Sequence, residues 1–318
     1  MRKQILLILL ALMPITVSAS GQSFMARVSE VYLRVKGGKK LFADEKKCRA
    51  FLENSLKDEK PFKVPENLSA SILEISTGDY RMEVAYVPAA EGVSKVVLYI
   101  HGGAYVNQIT GSHWNMLRKL SRSSGAALYI PDYPLAPAHT WEEGYALMEV
   151  LYRQLLKEYA SADIVLMGDS AGGGFALAFA AYLDAVMMPQ PGKIIAFSPW
   201  LDLAMENPEI SDYESSDPML SAYGLVEMGK CWAGGLDLKD YRMSPIYGPR
   251  NHLDHVYLFV GTREIFYPDI TAYYRLLKQA GKDVHLYIGK GLNHVYPVYP
   301  IPEAKEAVRE VSRIISQE

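Results

Sequence analysis

An apolar run that breaks into a glycine-flanked serine constrains this chain more than any other stretch. Residues 164–167 are all large and apolar, a Gly-Asp-Ser-Ala-Gly turn runs from Gly168 to Gly172, and a second apolar segment covers residues 175–183. This order indicates a strand, a sharp turn and a buried helix. Only glycine lets the backbone beside the serine fold tightly enough to leave its hydroxyl reachable, so Ser170 is the candidate nucleophile. Taken alone, the stretch could also be a glycine-rich turn without chemistry.

From residue 96 onward, short apolar runs alternate with helical patterns, which indicates a parallel sheet covered by helices on both faces. Before them, residues 69–76 and 80–87 alternate apolar with polar around a Thr-Gly-Asp turn and predict an antiparallel hairpin. Counting this hairpin, the sequence predicts an α/β fold with an eight-stranded, mostly parallel sheet. The predicted strands after the hairpin cover residues 96–100, 126–130, 164–167, 194–197, 256–260 and 284–288.

Two of the predicted helices have recognisable ends. Thr140 and Glu143 fit a capping box that opens a helix over residues 145–159. Asp269 is expected to cap a later helix that stops before Gly281, because glycine commonly ends a helix.

Two segments outside the strand pattern are predicted to form a lid. Residues 20–65 are polar, lack strand patterns and contain helical patterns at 25–35 and 45–56. Residues 198–255 form a long insertion with one helical pattern at 221–232, and insertions of this length are usually functional. Residues 66–318 are assigned to one catalytic domain, to which the insertion belongs.

The N-terminus carries the pattern of an export signal. Residues 1–4 are basic, residues 5–17 are mostly apolar, and Val17-Ser18-Ala19 fits a cleavage site of small residues. We therefore expect residues 1–19 to be a signal peptide and the protein to be secreted or otherwise extracytoplasmic. The alternative is an uncleaved N-terminal membrane anchor, which would place the catalytic body on the same side.

Charge and cysteine content restrict the partners. The net charge of −3 offers no basic face for a phosphate backbone, so nucleic acid is not expected as a partner. The only cysteines, Cys48 and Cys231, could form at most one disulfide, and the sequence does not settle whether they pair. It does not indicate the oligomeric state either.

A serine hydroxyl becomes a nucleophile when a histidine takes its proton and a carboxylate orients that histidine. In chains built around such a turn, the acid and then the histidine follow the serine, each in a loop after a strand. Glu264 follows the strand at 256–260 and is the leading acid, with Asp202 as a rarer alternative location. Of the seven histidines, only His285 and His294 lie after Glu264. His285 falls inside a predicted strand, so His294 is the candidate base.

The strand at 96–100 ends in His101, Gly102 and Gly103. A glycine pair at a strand end can present bare N–H groups to the negative charge that develops on a carbonyl oxygen. We therefore expect Gly102, Gly103 and the N–H of Ala171 to form an oxyanion hole.

From about residue 96 to its end, the chain resembles the hormone-sensitive-lipase-like esterases of the α/β-hydrolase superfamily. The resemblance rests on the Glu264 and His294 loops and on the motifs His-Gly-Gly-Ala at 101–104, Asp-Tyr-Pro-Leu-Ala-Pro at 132–137, Gly-Asp-Ser-Ala-Gly-Gly at 168–173 and Ser-Pro-Trp-Leu-Asp-Leu at 198–203. It implies hydrolysis of carboxylic esters, a preference for short acyl chains, no cofactor and a lid built partly from the N-terminal segment. The chain departs from the family pattern at Ala104, which replaces a third glycine, and at Pro134 and Ala138, which replace an Arg and a Glu.

The sequence thus predicts a serine carboxylesterase that acts on a small-molecule ester through an acyl-enzyme, with no metal or other cofactor. A serine amidase or peptidase would need the same residues. A non-catalytic ligand-binding protein on the same fold is a further alternative.

Overall fold

One eight-stranded sheet organises the computed structural model, which describes residues 21–57 and 61–317. The strands are β1 (Ser71–Thr77), β2 (Tyr80–Val87), β3 (Val96–Ile100), β4 (Ala127–Pro131), β5 (Ile164–Asp169), β6 (Lys193–Phe197), β7 (Val256–Gly261) and β8 (Val284–Gly289). Their order across the sheet is β1-β2-β4-β3-β5-β6-β7-β8, in which β1 with β2 and β2 with β4 are antiparallel and all other neighbours are parallel. The predicted hairpin and the mostly parallel sheet are confirmed.

The central strands are buried along their whole length, as expected for a sheet covered on both faces. Every residue of β3, β5 and β6 is buried. Parallel pairing also brings strand ends together, because Ile100 at the end of β3 lies opposite Gly168 in β5. The loop after β3 therefore lies beside the turn that carries Ser170.

The helices form two layers. They are α1 (Phe24–Lys36), α2 (Gly38–Ala43), α3 (Glu45–Ser55), α4 (Gly111–Ser124), α5 (Trp141–Glu158), α6 (Ala171–Ala185), α7 (Ile210–Glu214), α8 (Ala222–Ala233), α9 (Tyr267–Gln279) and α10 (Pro302–Ser316). Helices α5, α6 and α9 fill the core on one face of the sheet, and α4 and α10 fill it on the other.

Two predicted helix caps are wrong. Helix α5 begins after Thr140, but the Thr140 side chain makes no cap hydrogen bond, and the carboxylate of Glu143 instead contacts His139 Nδ1 at 2.6 Å. Asp269 lies inside the first turn of α9 rather than before it, and its carboxylate accepts a hydrogen bond from Asn207 at 2.7 Å. In both cases a neighbouring side chain competes for the capping group.

The N-terminal helices pack against the long insertion. A short extra helix, α2, follows the break at Gly37, whose φ of 75° suits glycine. Helices α2 and α3 lie against α8, and Gly224 of α8 sits so close to Phe42 that a Cβ there would come within 2.6 Å of the Phe42 Cβ. These contacts join the two segments for which a lid is predicted, and the lid itself stays a prediction.

The predicted signal peptide lies outside the described residues. Within residues 21–57 and 61–317, no helix has the length and apolar character needed to cross a membrane. Cys48 in α3 is buried and Cys231 in α8 is half-buried, and both are free thiols.

Candidate active site

Ser170 occupies the turn between β5 and α6 in a backbone conformation that few residues adopt. Its φ is 53° and its ψ is −122°, and its N–H donates to the carbonyl oxygen of Phe197 at 2.8 Å. Such a conformation costs of order 1–3 kcal/mol and persists only where the surroundings impose it. A Cβ on Gly172 would lie 2.1 Å from the carbonyl oxygen of Ile100, so only glycine lets the turn pack against the end of β3.

The three predicted catalytic side chains meet at the ends of β5, β7 and β8. His294 Nε2 lies 2.9 Å from Ser170 Oγ, and His294 Nδ1 lies 2.6 Å from Glu264 Oε2. With the shared proton on the nitrogen that faces Glu264, the other nitrogen is free to accept the serine proton. Glu264 and His294 are almost completely buried, which strengthens their interaction. His285, the histidine set aside, stacks on Tyr257 with ring centroids 4.9 Å apart.

Ser198 opens the Ser-Pro-Trp-Leu-Asp-Leu motif but was missed as a site residue by sequence reasoning, and it holds both the acid and the histidine loop. Its hydroxyl donates to Glu264 Oε1 at 2.8 Å and accepts from Val295 N–H at 3.0 Å. The same Glu264 oxygen also accepts from Gly261 N–H at 2.7 Å. Because each carboxylate oxygen has its own partner, Glu264 is fixed in one orientation toward His294.

The other acids in this region have different tasks. Asp202 accepts hydrogen bonds from the backbone of Ala204 and Glu206 and so stabilises the start of the insertion. Asp217, which sequence reasoning missed, is buried and accepts from the backbone N–H of Met219, Leu220 and Ile265. Since Ile265 follows Glu264, Asp217 ties the insertion to the acid turn.

The environment favours a charged imidazole at His294. Burial works to lower its pKa, but the charge of Glu264 and the hydrogen bond to it outweigh burial, with further help from Asp217 and Asp169. The net direction of the His294 pKa is upward from its ordinary value of 6.5. The site therefore stabilises the imidazolium that forms when Ser170 loses its proton.

The predicted oxyanion hole needs one correction. Gly102 N–H donates to Asp169 Oδ1 at 2.9 Å, so it is already engaged. Within the part of the chain that the structure describes, the N–H groups of Gly103, Ala104 and Ala171 donate to no protein acceptor. These three N–H groups remain as candidate donors. Ala171 is the first residue of α6, so the positive end of the helix dipole also faces a negative charge placed there. Gly102 is needed for close approach instead, since a Cβ there would come within 2.9 Å of the Ser170 Cβ.

The carboxylate of Asp169 connects the oxyanion loop to the nucleophile turn. It accepts from Tyr99 Oη at 2.5 Å and from Gly102 N–H, and its other oxygen lies 3.1 Å from His113 Nε2. Burial works to raise the pKa of Asp169, but His113, Tyr99 and Gly102 together keep it below its ordinary value. Asp169 is therefore an ionised group in the protein interior. Sequence reasoning assigned it no role, although its position directly before Ser170 in the motif could have indicated one.

Pro134 and Ala138, which replace a charged pair of the family pattern, line a cavity of about 390 Å³. None of the residues Ser170, Glu264 and His294 lines it. The loop between Pro134 and Ala138 is held without the charged pair, because Ala136 N–H donates to the carbonyl oxygen of Tyr105 at 2.8 Å. Just before the loop, Tyr133 Oη donates to the carbonyl oxygen of His101 at 2.9 Å.

Comparison with known proteins places these features in a family. A family model described as alpha/beta hydrolase fold matches residues 97–298. An esterase from Acinetobacter venetianus is 27% identical over 252 residues, which cover 78% of this chain and 82% of that protein. The crystal structure of a proposed esterase from Staphylococcus aureus superposes with a TM-score of 0.82 at 30% identity, covering 90% of this chain and 97% of that one. The crystal structure of EstE7, a homologue of hormone-sensitive lipase from a metagenome library, superposes with a TM-score of 0.72 at 25% identity. The match covers 92% of this chain and 97% of that one.

The raised pKa of His294 predicts the acid limb of the pH profile. Because the base must be neutral, kcat/KM for p-nitrophenyl acetate should rise with pH through a midpoint above 6.5. In Glu264→Gln the charge that raises the pKa is lost while burial remains, so the midpoint should move to lower pH and kcat should fall about 10²- to 10⁴-fold. The exposed Glu142→Gln serves as control; an unmoved midpoint in Glu264→Gln would contradict the assignment.

Asp169→Asn should weaken the link between the oxyanion loop and the nucleophile turn. Losing the charge opposite His113 should lower kcat about 10- to 100-fold with little change in KM. Urea unfolding should show a loss of about 1–3 kcal/mol in the free energy of unfolding. Asp163→Asn, which removes a more exposed carboxylate paired with Lys95 at 2.5 Å, is the matched control. Equal kcat in Asp169→Asn and the parent would limit Asp169 to a structural role.

Proposed function

Because the chain belongs to the α/β-hydrolase fold family, within its hormone-sensitive-lipase-like esterases, and is a carboxylic ester hydrolase, we propose that it acts through an acyl-enzyme on Ser170. The observation that carries this proposal is the continuous hydrogen-bonded chain from Ser170 through His294 to Glu264. Such a chain has the order that serine hydrolases use to activate a hydroxyl.

The first half-reaction forms the acyl-enzyme. As Ser170 Oγ attacks the ester carbonyl carbon, its proton passes to His294 Nε2, and Glu264 stabilises the imidazolium. The carbonyl oxygen becomes an oxyanion that Gly103, Ala104 and Ala171 can stabilise with backbone N–H groups. The bond to the alkoxy group then breaks, and that oxygen takes the proton from His294 as the alcohol leaves.

The second half-reaction restores the enzyme. A water molecule gives a proton to His294 Nε2 as its oxygen attacks the acyl carbon, and a second oxyanion forms. When this intermediate collapses, the bond to Ser170 Oγ breaks, Oγ regains the proton from His294, and the carboxylic acid is released. No group outside the protein, the ester and water is required by this proton balance.

We further propose a preference for short acyl groups. Beneath the nucleophile the interior is filled, since Trp200 and Tyr105 are buried and Tyr105 stacks on Trp232 at 4.6 Å. A Cβ on Gly174, one turn after Ser170, would come within 2.1 Å of the Trp200 carbonyl oxygen. We expect the methyl group of Ala104, which stands where the family pattern has glycine, to narrow the acyl site further. This packing supports a shallow acyl site.

Ser170→Ala should remove turnover. We expect kcat for p-nitrophenyl acetate to fall at least about 10³-fold, because the residual rate comes only from binding and the oxyanion donors. Ser198→Ala, which removes a nearby hydroxyl that does not attack, should retain measurable turnover. Mass spectrometry after reaction with a fluorophosphonate should place the label on Ser170. Wild-type turnover in Ser170→Ala would exclude the mechanism.

The same preparation tests the substrate. Across p-nitrophenyl esters of increasing acyl length, kcat/KM should be highest for the shortest acyl groups and fall for long ones. A rising series would contradict the shallow acyl site while leaving the nucleophile unaffected. Paired ester and anilide substrates test the amidase alternative, which requires turnover of the anilide.

We also propose that the catalytic body lies outside the cytoplasm, which the basic and apolar residues 1–17 support. N-terminal sequencing of the protein recovered from cell fractions should find Ser20 as the first residue, in an extracytoplasmic fraction. Retention of residues 1–19 in a membrane fraction would support the anchor instead, and a full-length protein in the cytoplasm would contradict both.

A further inference from the structure

Helix α1 has an apolar face that no described residue covers. It packs on the domain through Ala26 and Leu33, which are buried. The helical repeat places a second apolar stripe on the opposite side of the helix. Of the twelve large apolar side chains that are exposed within the described residues, five lie on α1: Phe24 (53%), Met25 (48%), Val31 (36%), Tyr32 (58%) and Val35 (77%).

The charge around this helix differs in sign from the rest of the chain. Residues 20–65 contain eleven Lys and Arg against six Asp and Glu, whereas residues 66–318 contain twenty against thirty. Lys36 and Lys40, which follow the apolar stripe, are exposed. A helix with an apolar stripe bordered by basic residues has the composition of one that lies in a membrane interface.

Helix α1 contacts the catalytic loops through the side opposite the stripe, where Glu30 is buried. Glu30 of α1 pairs with Arg263 at 2.8 Å, and Arg263 immediately precedes Glu264. Arg34 of α1 also donates to the carbonyl oxygen of Ser216 in the insertion at 2.7 Å. A surface that covered the stripe would therefore lie against the outer side of a helix whose inner side is bonded to the acid turn.

We propose that the exposed face of α1 docks on the surface of an anionic phospholipid bilayer. The apolar side chains would enter the interface while the basic residues bind lipid phosphates, and each contributes to binding. The apolar residues 5–17 end seven positions before Phe24, so a retained N-terminal segment would hold α1 at the same surface.

Charge argues against a second copy of the chain as the occupant. Two α1 faces brought together would place two segments with an excess of basic residues side by side, and like charges repel. An anionic lipid surface instead complements this charge. The docking surface goes beyond the proposed reaction and does not depend on the identity of the nucleophile.

Vesicle flotation of the full chain as recovered from expression tests the proposal. The double variant Phe24→Ser, Val35→Ser should lose at least about tenfold in partition onto vesicles of phosphatidylcholine and phosphatidylglycerol, because two apolar side chains no longer enter the interface. Ile72→Ser, Ile288→Ser is the matched control, since these residues are 48% and 49% exposed but lie on strands. It should partition like the parent.

Two further measurements separate charge and location. Lys36→Gln, Lys40→Gln should lose about tenfold on the anionic vesicles and little on pure phosphatidylcholine. Hydrogen exchange of the peptide spanning α1 should slow when anionic vesicles are added to the parent. All variants share the parent's N-terminus, so any binding by residues 1–19 is equal among them.

Equal partition of the α1 variant and the parent would overturn the proposal. The proposal would also be overturned if the α1 variant had a lower molar mass than the parent in light scattering but the same vesicle partition. In that case a second copy of the chain would cover the face. Turnover of soluble p-nitrophenyl acetate should be unchanged in every docking variant. A failure of the serine mechanism would appear only in that assay, and is thus distinguished from a failure of docking.

Discussion

The buried carboxylate of Asp169 holds the two halves of the reaction centre together. One half is the turn that carries Ser170, and the other is the loop after β3 that carries the free N–H groups. Asp169 belongs to the first and accepts a hydrogen bond from Gly102 in the second. The other oxygen of Asp169 lies 3.1 Å from Nε2 of His113 in α4, a helix on the opposite face of the sheet from α6. A nucleophile and its oxyanion donors must keep their spacing within a fraction of an ångström, which this charge-assisted contact provides.

A second set of contacts fixes the acid and connects it to the segments above the sheet. Ser198 holds Glu264 and the histidine loop, and Asp217 holds the residue after Glu264. Arg263, the residue before Glu264, pairs with Glu30 of α1. Both neighbours of the catalytic acid are thus bonded to parts of the predicted lid. If those parts moved, Glu264 would move with them, and the orientation of His294 would change because Glu264 holds its Nδ1.

The sequence predicted those features of the site that depend on neighbouring residues, and it missed those that depend on contacts between distant side chains. Ser170, Glu264 and His294 follow strands whose apolar runs are continuous, so their meeting at one edge of the sheet could be expected, and the structure brings them together. The prediction that Gly102 N–H is a free oxyanion donor was wrong, because this N–H donates to the carboxylate of Asp169, 67 positions away. The cap at Thr140 failed for a similar reason, since Glu143 contacts His139 instead. Such competition between side chains leaves no periodic pattern in a sequence.

The uneven distribution of charge along the chain orients the molecule as it approaches an anionic surface. With basic residues in excess over residues 20–65 and acidic residues in excess elsewhere, an anionic surface attracts the α1 side and repels the catalytic body. The long-range field thus selects the side on which the apolar stripe lies, and burial of the stripe then fixes the contact. Because Glu30 bonds Arg263 from the opposite side of α1, this orientation places the helix between the lipid and the acid turn.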